Sequence, residues 1–455
     1  MEASPPTVRN GTNDRVGWAT GPRASRGESF LFHNAALYSK WVRDMADAQL
    51  DTGSLPDVCP PYWPVYTDNV TWPATFVLLP GHLWTQFGDA DVVRDHYAAM
   101  QRWVEYMAGF LRDDLMPRDT YGDWGVPPEG PGLAHAQDPG RMTHPVLLGT
   151  ATFAHCLARL ADYADRLGRP EEGRGYRERA ERLKVALNAR FLDPARGLYD
   201  NGSQTSSLLP LAYGLVPEES RSRVVAHWVR QITDGANGHL GTGVVGGQWL
   251  LRTLTAQGRV DLAYRIASNR TYPSWGYMIE QGATTLWELW NGDTASPAVS
   301  AGNHVMLAGD LVLWMYEDLA GLRADPARPG FQHLVMKPHP VGDLTYVQAT
   351  HRSPYGWIRS TWRAEWPAQG ASGLRAGVAA NAVGAGPVRF AWDIELPPNT
   401  TATLHVPAAG QQTVTESGRP ASEAPGLTLQ GRQPDRVVFE AVAGRYTFEV
   451  NGVKH

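Results

Sequence analysis

Cysteine is nearly absent from this chain. Among its 455 residues only Cys59 and Cys156 carry a thiol. Two such residues cannot build a disulfide framework, and their separation does not match the ligand spacing of a zinc site. Both are expected to be buried thiols. Positive charge is also scarce: 41 Lys and Arg stand against 46 Asp and Glu, for a net charge of −5. The basic residues are scattered, so no electrostatic footprint for nucleic acid is expected. No apolar run is long enough to span a bilayer, which argues against membrane insertion. The opening Met1-Glu-Ala-Ser-Pro-Pro has neither the basic segment nor the apolar run of a secretory leader, and a cytoplasmic location is the expectation. Oligomeric state leaves no signature.

Several catalytic motifs are missing as well. There is no phosphate-binding loop, no paired-His zinc helix, no Cys-x-x-Cys and no nucleophile elbow. Gly241-Thr-Gly-Val-Val-Gly246 has the spacing of a dinucleotide loop but no strand before it and no βαβ unit around it. The expectation is a protein with no cofactor and no metal.

What the chain has in excess is aromatic residues, with 17 Trp and 17 Tyr. Large aromatic cores and carbohydrate-facing surfaces both produce such a count. From about residue 29 to residue 320 the pattern is helix after helix. Expected helices run over 29–49, with Leu37, Trp41 and Met45 on one face, and over 72–87, apolar nearly all round and kinked at Pro80. The clearest stripe is in 91–111, through Val93, Tyr97, Met100, Val104, Met107 and Leu111. Further helices are expected at 143–167, 170–190, 204–213, 217–233, 242–256, 259–268 and 303–320, while residues 1–29 read as loop. Long loops alternate with short ones, and the long ones hold the Trp, Asp and Glu residues. A toroid of antiparallel helical hairpins, with its functional loops gathered at one end, accounts for this alternation.

Near Ala324-Asp-Pro-Ala-Arg-Pro-Gly330 the texture changes. Short alternating runs follow at 333–337, 344–349, 356–362, 401–406, 436–440 and 445–450, separated by Gly, Pro and Asn turns. They predict an antiparallel β-sandwich. The division expected is therefore a helical domain over residues 1–325 and a β-domain over residues 326–455.

Candidate chemistry concentrates where carboxylates lie beside indoles: Asp14 near Trp18, Asp123 beside Trp124, and Glu280 and Glu288 in the stretch Gly276–Trp290. Glu288 sits between Trp287 and Trp290. Indoles offer flat apolar faces to the C–H faces of a sugar ring, and a carboxylate beside them can activate water. Each of these features taken singly fits core packing or a structural ion pair equally well. Their joint placement in loops at helix ends favours a sugar-processing site.

Gly282-Ala-Thr-Thr-Leu-Trp-Glu288, preceded by Tyr272-Pro-Ser-Trp-Gly-Tyr-Met-Ile-Glu280, resembles the signature of bacterial α-L-rhamnosidases of glycoside hydrolase family 78. Asp14-Arg-Val-Gly-Trp18, Trp72, Tyr121-Gly-Asp-Trp124, Leu262-Ala-Tyr264 and Asn303-His304 follow in the family's order. Pro329-Gly-Phe-Gln-His333 and Pro397-Pro-Asn-Thr-Thr-Ala402 resemble its closing β-domain. The resemblance implies a mainly α fold with a β-domain: an (α/α)6 barrel followed by an antiparallel β-sandwich. It also implies inverting hydrolysis of terminal α-L-rhamnosides in rhamnose-containing glycans. By position, Glu288 would be the general base and Asp14 the general acid. Arg15, Trp18, Trp72, Asp123, Trp124, Trp290 and His304 would form the sugar pocket. The chain departs from the family in having Asp14 where Glu is usual, Asn13 where Asp is usual, and Gly21-Pro22 where a further acid stands. Two other readings stay open: a carbohydrate-binding protein without turnover, and a lyase or phosphorylase on the same toroid.

Overall fold

The computed structural model describes residues 21–61, 64–133, 135–295, 302–304, 307, 309–367 and 387–451. The segments of the site expected at Asp14, Arg15 and Trp18 lie outside these residues.

The helices sort into two layers by burial. The helix α1 spans Gly21–Leu31, α2 Ala35–Asp47, α3 Thr75–Phe87, α4 Asp91–Ala108, α5 Pro145–Arg166 and α6 Pro170–Phe191. Helix α5 is buried along most of its length, from Val146 to Ala164. Its partner α6 buries only Gly173, Tyr176, Leu183, Leu187 and Phe191, a single stripe with charged residues on the rest of its circumference. Proline at the first turn of both helices fits there because that N–H has no intrahelical acceptor. Glu171 and Glu172 face the positive end of the α6 dipole.

The same alternation continues through α7 (Gln204–Ala212), α8 (Glu218–Arg230), α9 (Val244–Gly247), α10 (Leu250–Ala256), α11 (Val260–Ser268), α12 (Trp275–Glu280) and α13 (Gly309–Trp314). The inner helices contact one another in sequence, α1 on α3, α3 on α5, α5 on α7, α7 on α9 and α10, and α10 on α13. Helix α13 then packs on α1, so the inner layer closes on itself. Because each inner helix is followed by an outer return helix, the inner helices run in the same direction. The loops that lead into them, whose described residues are 56–61, 64–74, 113–133, 135–144, 231–243, 281–295 and 302–304, therefore gather at one end.

Close packing inside the ring uses small residues. A side chain at Gly81 of α3 would collide with the Tyr163 hydroxyl of α5, which donates to the Val77 carbonyl at 2.7 Å beside Pro80.

Three helical expectations are corrected. Residues 21–28, read as loop, belong to α1, and the helix expected over 29–49 is broken between Leu31 and Ala35. The break rotates the register of α2, which buries Tyr38, Trp41, Val42 and Met45 and leaves Leu37 exposed. The helix expected over 303–320 is α13 followed by a wider turn at Met315–Leu319.

Beyond the ring the chain forms a continuous sheet. Strand β4 (Arg389–Pro407) and strand β5 (Arg436–Asn451) pair antiparallel along nearly their whole length, with a bulge at Val442/Gly444. The two runs expected at 436–440 and 445–450 are thus one strand. Strands β2 (Tyr346–Ser353) and β3 (Gly356–Glu365) extend the sheet beside the first half of β4. Strand β1 (His333–Met336) lies parallel to the second half of β4, an exception among the described strands, which otherwise pair antiparallel. Both halves contribute to one buried cluster that includes Trp362, Trp392, Phe448, Leu334, Leu404 and Phe439. Phe30 of α1 and Leu313 of α13 belong to that cluster, which fastens the β-domain to the ring. Cys59 and Cys156 are buried and not joined in a disulfide. Among the described residues no helix is long and apolar enough to cross a membrane.

Candidate functional site

Three loops meet at the end of the ring where the inner helices begin. Loop 56–74 contributes Asp57 and Trp72. Asp57 is fully buried and its Oδ2 accepts from the Thr67 hydroxyl at 2.8 Å and from the Tyr121 hydroxyl at 2.8 Å. Burial pushes its carboxyl above the usual range, and these two donors pull it back. The Tyr121 ring packs on Trp72 with centroids 4.6 Å apart. Asp119 makes the second tie between the same loops. It accepts from the Thr71 N–H at 3.2 Å, the Thr71 hydroxyl at 3.1 Å and the Gly122 N–H at 3.1 Å. Burial raises its carboxyl to about 6 against those donors.

Asp123 is tied inward rather than exposed. It is 1 % exposed, and each of its oxygens is occupied. Oδ2 accepts from the Thr205 hydroxyl at 2.5 Å and the Gly243 N–H at 2.8 Å; Oδ1 accepts from the Val245 N–H at 2.9 Å and the Gly246 N–H at 3.0 Å. The carboxylate thereby satisfies N–H groups that the first turn of α9 leaves without intrahelical acceptors. Burial pushes its carboxyl up while these donors hold the charged form. The glycines at 243 and 246 have a spatial reason. A side chain at Gly243 would collide with the carbonyl oxygens of Asp123 and Trp124, and one at Gly246 with the Thr205 hydroxyl. The Gly-x-Gly-x-x-Gly spacing thus serves close approach of two loops.

With its backbone held by Asp123 and by a 2.7 Å bond from the Val244 N–H to its own carbonyl, Trp124 reaches across to the third loop. Its indole N–H donates to Glu288 Oε1 at 3.3 Å. Glu288 and Trp124 are both half-buried. Segment 302–304 folds back on the same loop: the Thr285 hydroxyl donates to the Gly302 carbonyl at 2.5 Å and the His304 N–H to the Leu286 carbonyl at 2.7 Å. His304 is 2 % exposed and lies two residues beyond Gly302. Asn291 anchors the loop from the other side by donating to the carbonyls of Pro131, at 3.0 Å, and Leu133, at 2.7 Å.

Trp290 is 2 % exposed and meets Trp275 edge to face, 5.4 Å between centroids. Its indole N–H and that of Trp72 are buried without a hydrogen-bond partner among the described residues. A cavity lies between Trp124, His135, Leu289, Trp290 and Asn291. Glu280, the other carboxylate of the central stretch, is a surface group paired with Arg270.

The structure brings Trp72, Trp124, Glu288 and His304 to one end of the ring and holds Asp123 beneath them. Asp57 and Asp119 have no signal in the sequence beyond being acids in loops. The motif spacing Gly241–Gly246 was the one pattern that could have pointed to the structural task of Asp123, whose carboxylate accepts from Gly243 and Gly246.

A closed ring of helical hairpins with a C-terminal β-domain is the architecture of six-hairpin glycosidases. A family model described as the bacterial alpha-L-rhamnosidase 6 hairpin glycosidase domain matches residues 10–319, and one described as the bacterial alpha-L-rhamnosidase C-terminal domain matches residues 321–374. The chain belongs to the bacterial α-L-rhamnosidase family. An alpha-L-rhamnosidase of Formosa agariphila is 28% identical across 96% of this chain and 45% of its own length. One of Streptomyces avermitilis is 30% identical across 89% of this chain and 36% of its own. The solved structure of an alpha-L-rhamnosidase from Dictyoglumus thermophilum superposes with a TM-score of 0.83 at 30% identity, over 96% of this chain and 46% of that one. The Streptomyces avermitilis enzyme, solved in complex with L-rhamnose, gives a TM-score of 0.81 at 28% identity, over 96% and 38% of the two chains. The chain spans less than half the length of these relatives.

Proposed function

We propose that this chain hydrolyses terminal α-L-rhamnosides, or glycosides of a closely related deoxy sugar, with inversion. The observation that carries the proposal is the 3.3 Å bond from the Trp124 indole to Glu288, which joins two rim loops around a half-buried carboxylate. The L-rhamnose bound by the Streptomyces avermitilis relative supports the choice of sugar.

In this reading Glu288 is the general base. Its carboxylate takes a proton from water as the water oxygen bonds to the anomeric carbon. Asp14, as general acid, gives its proton to the glycosidic oxygen as the bond from that oxygen to the anomeric carbon breaks. Inverting enzymes hold two such carboxyl groups roughly 6.5–9.5 Å apart, leaving room for the water. An Asp is one methylene shorter than Glu, so Asp14 must approach the leaving oxygen more closely. Both groups return to their starting states by proton exchange with solvent.

Trp72, Trp124 and Trp18 would wall the sugar, and Arg15 and His304 would meet its hydroxyls. The buried indole N–H groups of Trp72 and Trp290 have donors to offer a hydroxyl oxygen. Asp123 has a different task from the sugar contact expected of it: its acceptor sites are filled, so it positions Trp124 against Glu288. The domain division that goes with this reading is a catalytic barrel over residues 1–325 and a β-domain over residues 326–455. Two separate buried clusters support it.

The test is hydrolysis of an aryl α-L-rhamnoside with the released sugar followed by NMR. The β anomer should appear first. Initial release of the α anomer overturns the inverting mechanism, and absence of release from any rhamnoside overturns the activity.

A further inference from the structure

The loop that carries Glu288 is held from behind by one amide. Three residues beyond Glu288, Asn291 is 1 % exposed, and its Nδ2 donates to the Pro131 carbonyl at 3.0 Å and to the Leu133 carbonyl at 2.7 Å. Carbonyl oxygens only accept, so the NH2 end of the amide must face them. Its Oδ1 is buried without a partner among the described residues. The side chain thus serves through its two donors. Resting on the reading of Glu288 as general base, we infer that Asn291 is a positioning residue for that base.

Both ends of the tie are stiff. On the Asn291 side, the Gly292 N–H closes a turn on the Leu289 carbonyl at 3.1 Å, and the Thr294 and Ala295 N–H groups both bond the Asn291 carbonyl at 2.9 Å. A side chain at Gly292 would collide with the Trp287 ring, so the residue before Glu288 packs on the turn that follows it. On the other side, the Leu133 N–H bonds the Gly130 carbonyl at 3.2 Å, and Glu129 accepts from the N–H groups of Gln137 at 3.1 Å and Asp138 at 2.7 Å. The exposed Thr294 adds its hydroxyl as a further donor to the Pro131 carbonyl. A shift of Asn291 therefore passes through a closed turn to Glu288, whose carboxylate meets Trp124 at its tip.

A misplacement of about 1 Å at a reacting group costs roughly a hundredfold in rate. Packing alone would be served equally well by a side chain of the same shape. Asp has that shape but turns an oxygen, not an NH2, toward the two carbonyls.

The experiment measures kcat and KM on 4-nitrophenyl α-L-rhamnoside for the full chain, Asn291→Ala, Asn291→Asp, Thr294→Val, Glu288→Gln and the double variant Glu288→Gln/Asn291→Ala, with circular dichroism giving the folded fraction. Both Asn291 substitutions should lower kcat per folded molecule by about 10–100-fold and leave KM within about threefold. Thr294→Val, at the surface, should lower kcat by about threefold. In the Glu288→Gln background Asn291→Ala should cost less than about twofold more, because no base is left to misplace. A loss that multiplies in full onto Glu288→Gln, or one that falls on KM, makes Asn291 a general structural residue and overturns the inference. Unchanged kcat in the Asn291 variants overturns it too and leaves the base assignment standing. If neither Asn291 variant folds, an unchanged kcat in Thr294→Val has the same force. Near-normal turnover in Glu288→Gln removes the base and its positioning residue together.

Discussion

The two ends of the helical ring both concentrate carboxylates, but they hold them differently. From the first turn of α13 to the wider turn at Met315–Leu319 that follows it, the acids face guanidinium groups. Asp310 meets Arg252 at 2.5 Å, Glu317 meets Arg26 at 3.3 Å and Arg323 at 3.4 Å, and Asp318 meets Arg323 at 3.0 Å. At the other end the donors to Asp57, Asp119 and Asp123 are hydroxyls and backbone N–H groups, and Glu288 receives an indole N–H. Adjacent full positive charge lowers a carboxylate's basicity and fastens it in an ion pair. Neutral donors orient a carboxylate with a smaller effect on its charge. One end is therefore suited to hold the ring to the β-domain, and the other to keep loops in register around the carboxylate to which the proposed mechanism gives proton exchange.

The sharpest way to break this contrast is to remove one charge from each end and compare what is lost. Glu288→Gln keeps the shape of the side chain and an acceptor for Trp124, so its cost should fall on turnover: a decrease in kcat of roughly 10²–10⁴-fold, with the melting temperature nearly unchanged. Near-normal turnover in that variant would end the assignment of the base. Arg252→Met should do the reverse. It leaves Asp310, 1 % exposed on its side chain, without its cation, and removes the guanidinium stacked 4.8 Å from the Trp249 ring. Breaking a buried pair in this way costs about 3–5 kcal/mol. Urea denaturation should report the loss, while kcat per folded molecule holds. A marked fall in kcat without a loss of stability would mean the two ends are not separate in function.

Asp123→Asn tests the acid that links scaffold and site. An amide offers one acceptor oxygen where the carboxylate serves four donors, so buried N–H groups would be left unmatched, at about 1–3 kcal/mol. Because the same segment carries Trp124, kcat should fall more than KM rises. A rise in KM alone would return Asp123 to the sugar-binding role expected of its sequence motif.

That motif also shows where sequence reading stops. Periodicity located the hairpins well: Val93, Tyr97, Met100, Val104 and Met107 are buried on α4 as their spacing required. It failed at α1, where Gly21-Pro-Arg-Ala-Ser-Arg-Gly27 has loop composition; the helix exists because it closes the ring against α13, a tertiary demand that overrides weak local propensity. Trp124 and Glu288 could each be singled out as candidates for handling a sugar because indole and carboxylate side chains name their own chemistry. Asp123 could not be told apart from them. A carboxylate that caps a distant helix and one that touches a substrate look alike until the chain brings Gly243 and Gly246 against it.

The smallest effect expected belongs to Asp318, and its sign separates burial from ion pairing. Arg323 pairs with Oδ1, while Oδ2 is buried without a partner. Burial, as the larger influence, lifts the carboxyl to about 7; Arg323 and Arg252 oppose this, and Glu317 and Asp310 reinforce it. His339, whose ring meets the Asp318 carbonyl at 3.1 Å, and Lys337 lie against the same group; burial depresses both, His339 to about 3. A folded-state value above the unfolded one means the folded chain holds the proton more tightly. That contribution to stability is complete below the unfolded value near 3.8 and is lost as pH rises through about 7. Buried imidazoles such as His339 and His351, lowered to about 3 and about 4, act in the opposite sense but at lower pH. In the unfolded chain an imidazole is still half protonated near pH 6.5 and neutral only about a unit higher, so their contribution is cancelled by comparison with Asp318→Asn, which keeps an acceptor for Arg323. Between pH 6.5 and 8.5 the urea midpoint of the unmodified chain should drift downward relative to that of the variant. An unchanged slope in the variant would show that the Arg323 pair already holds Asp318 ionised, and the contrast between the two ends would then rest on ion pairing alone.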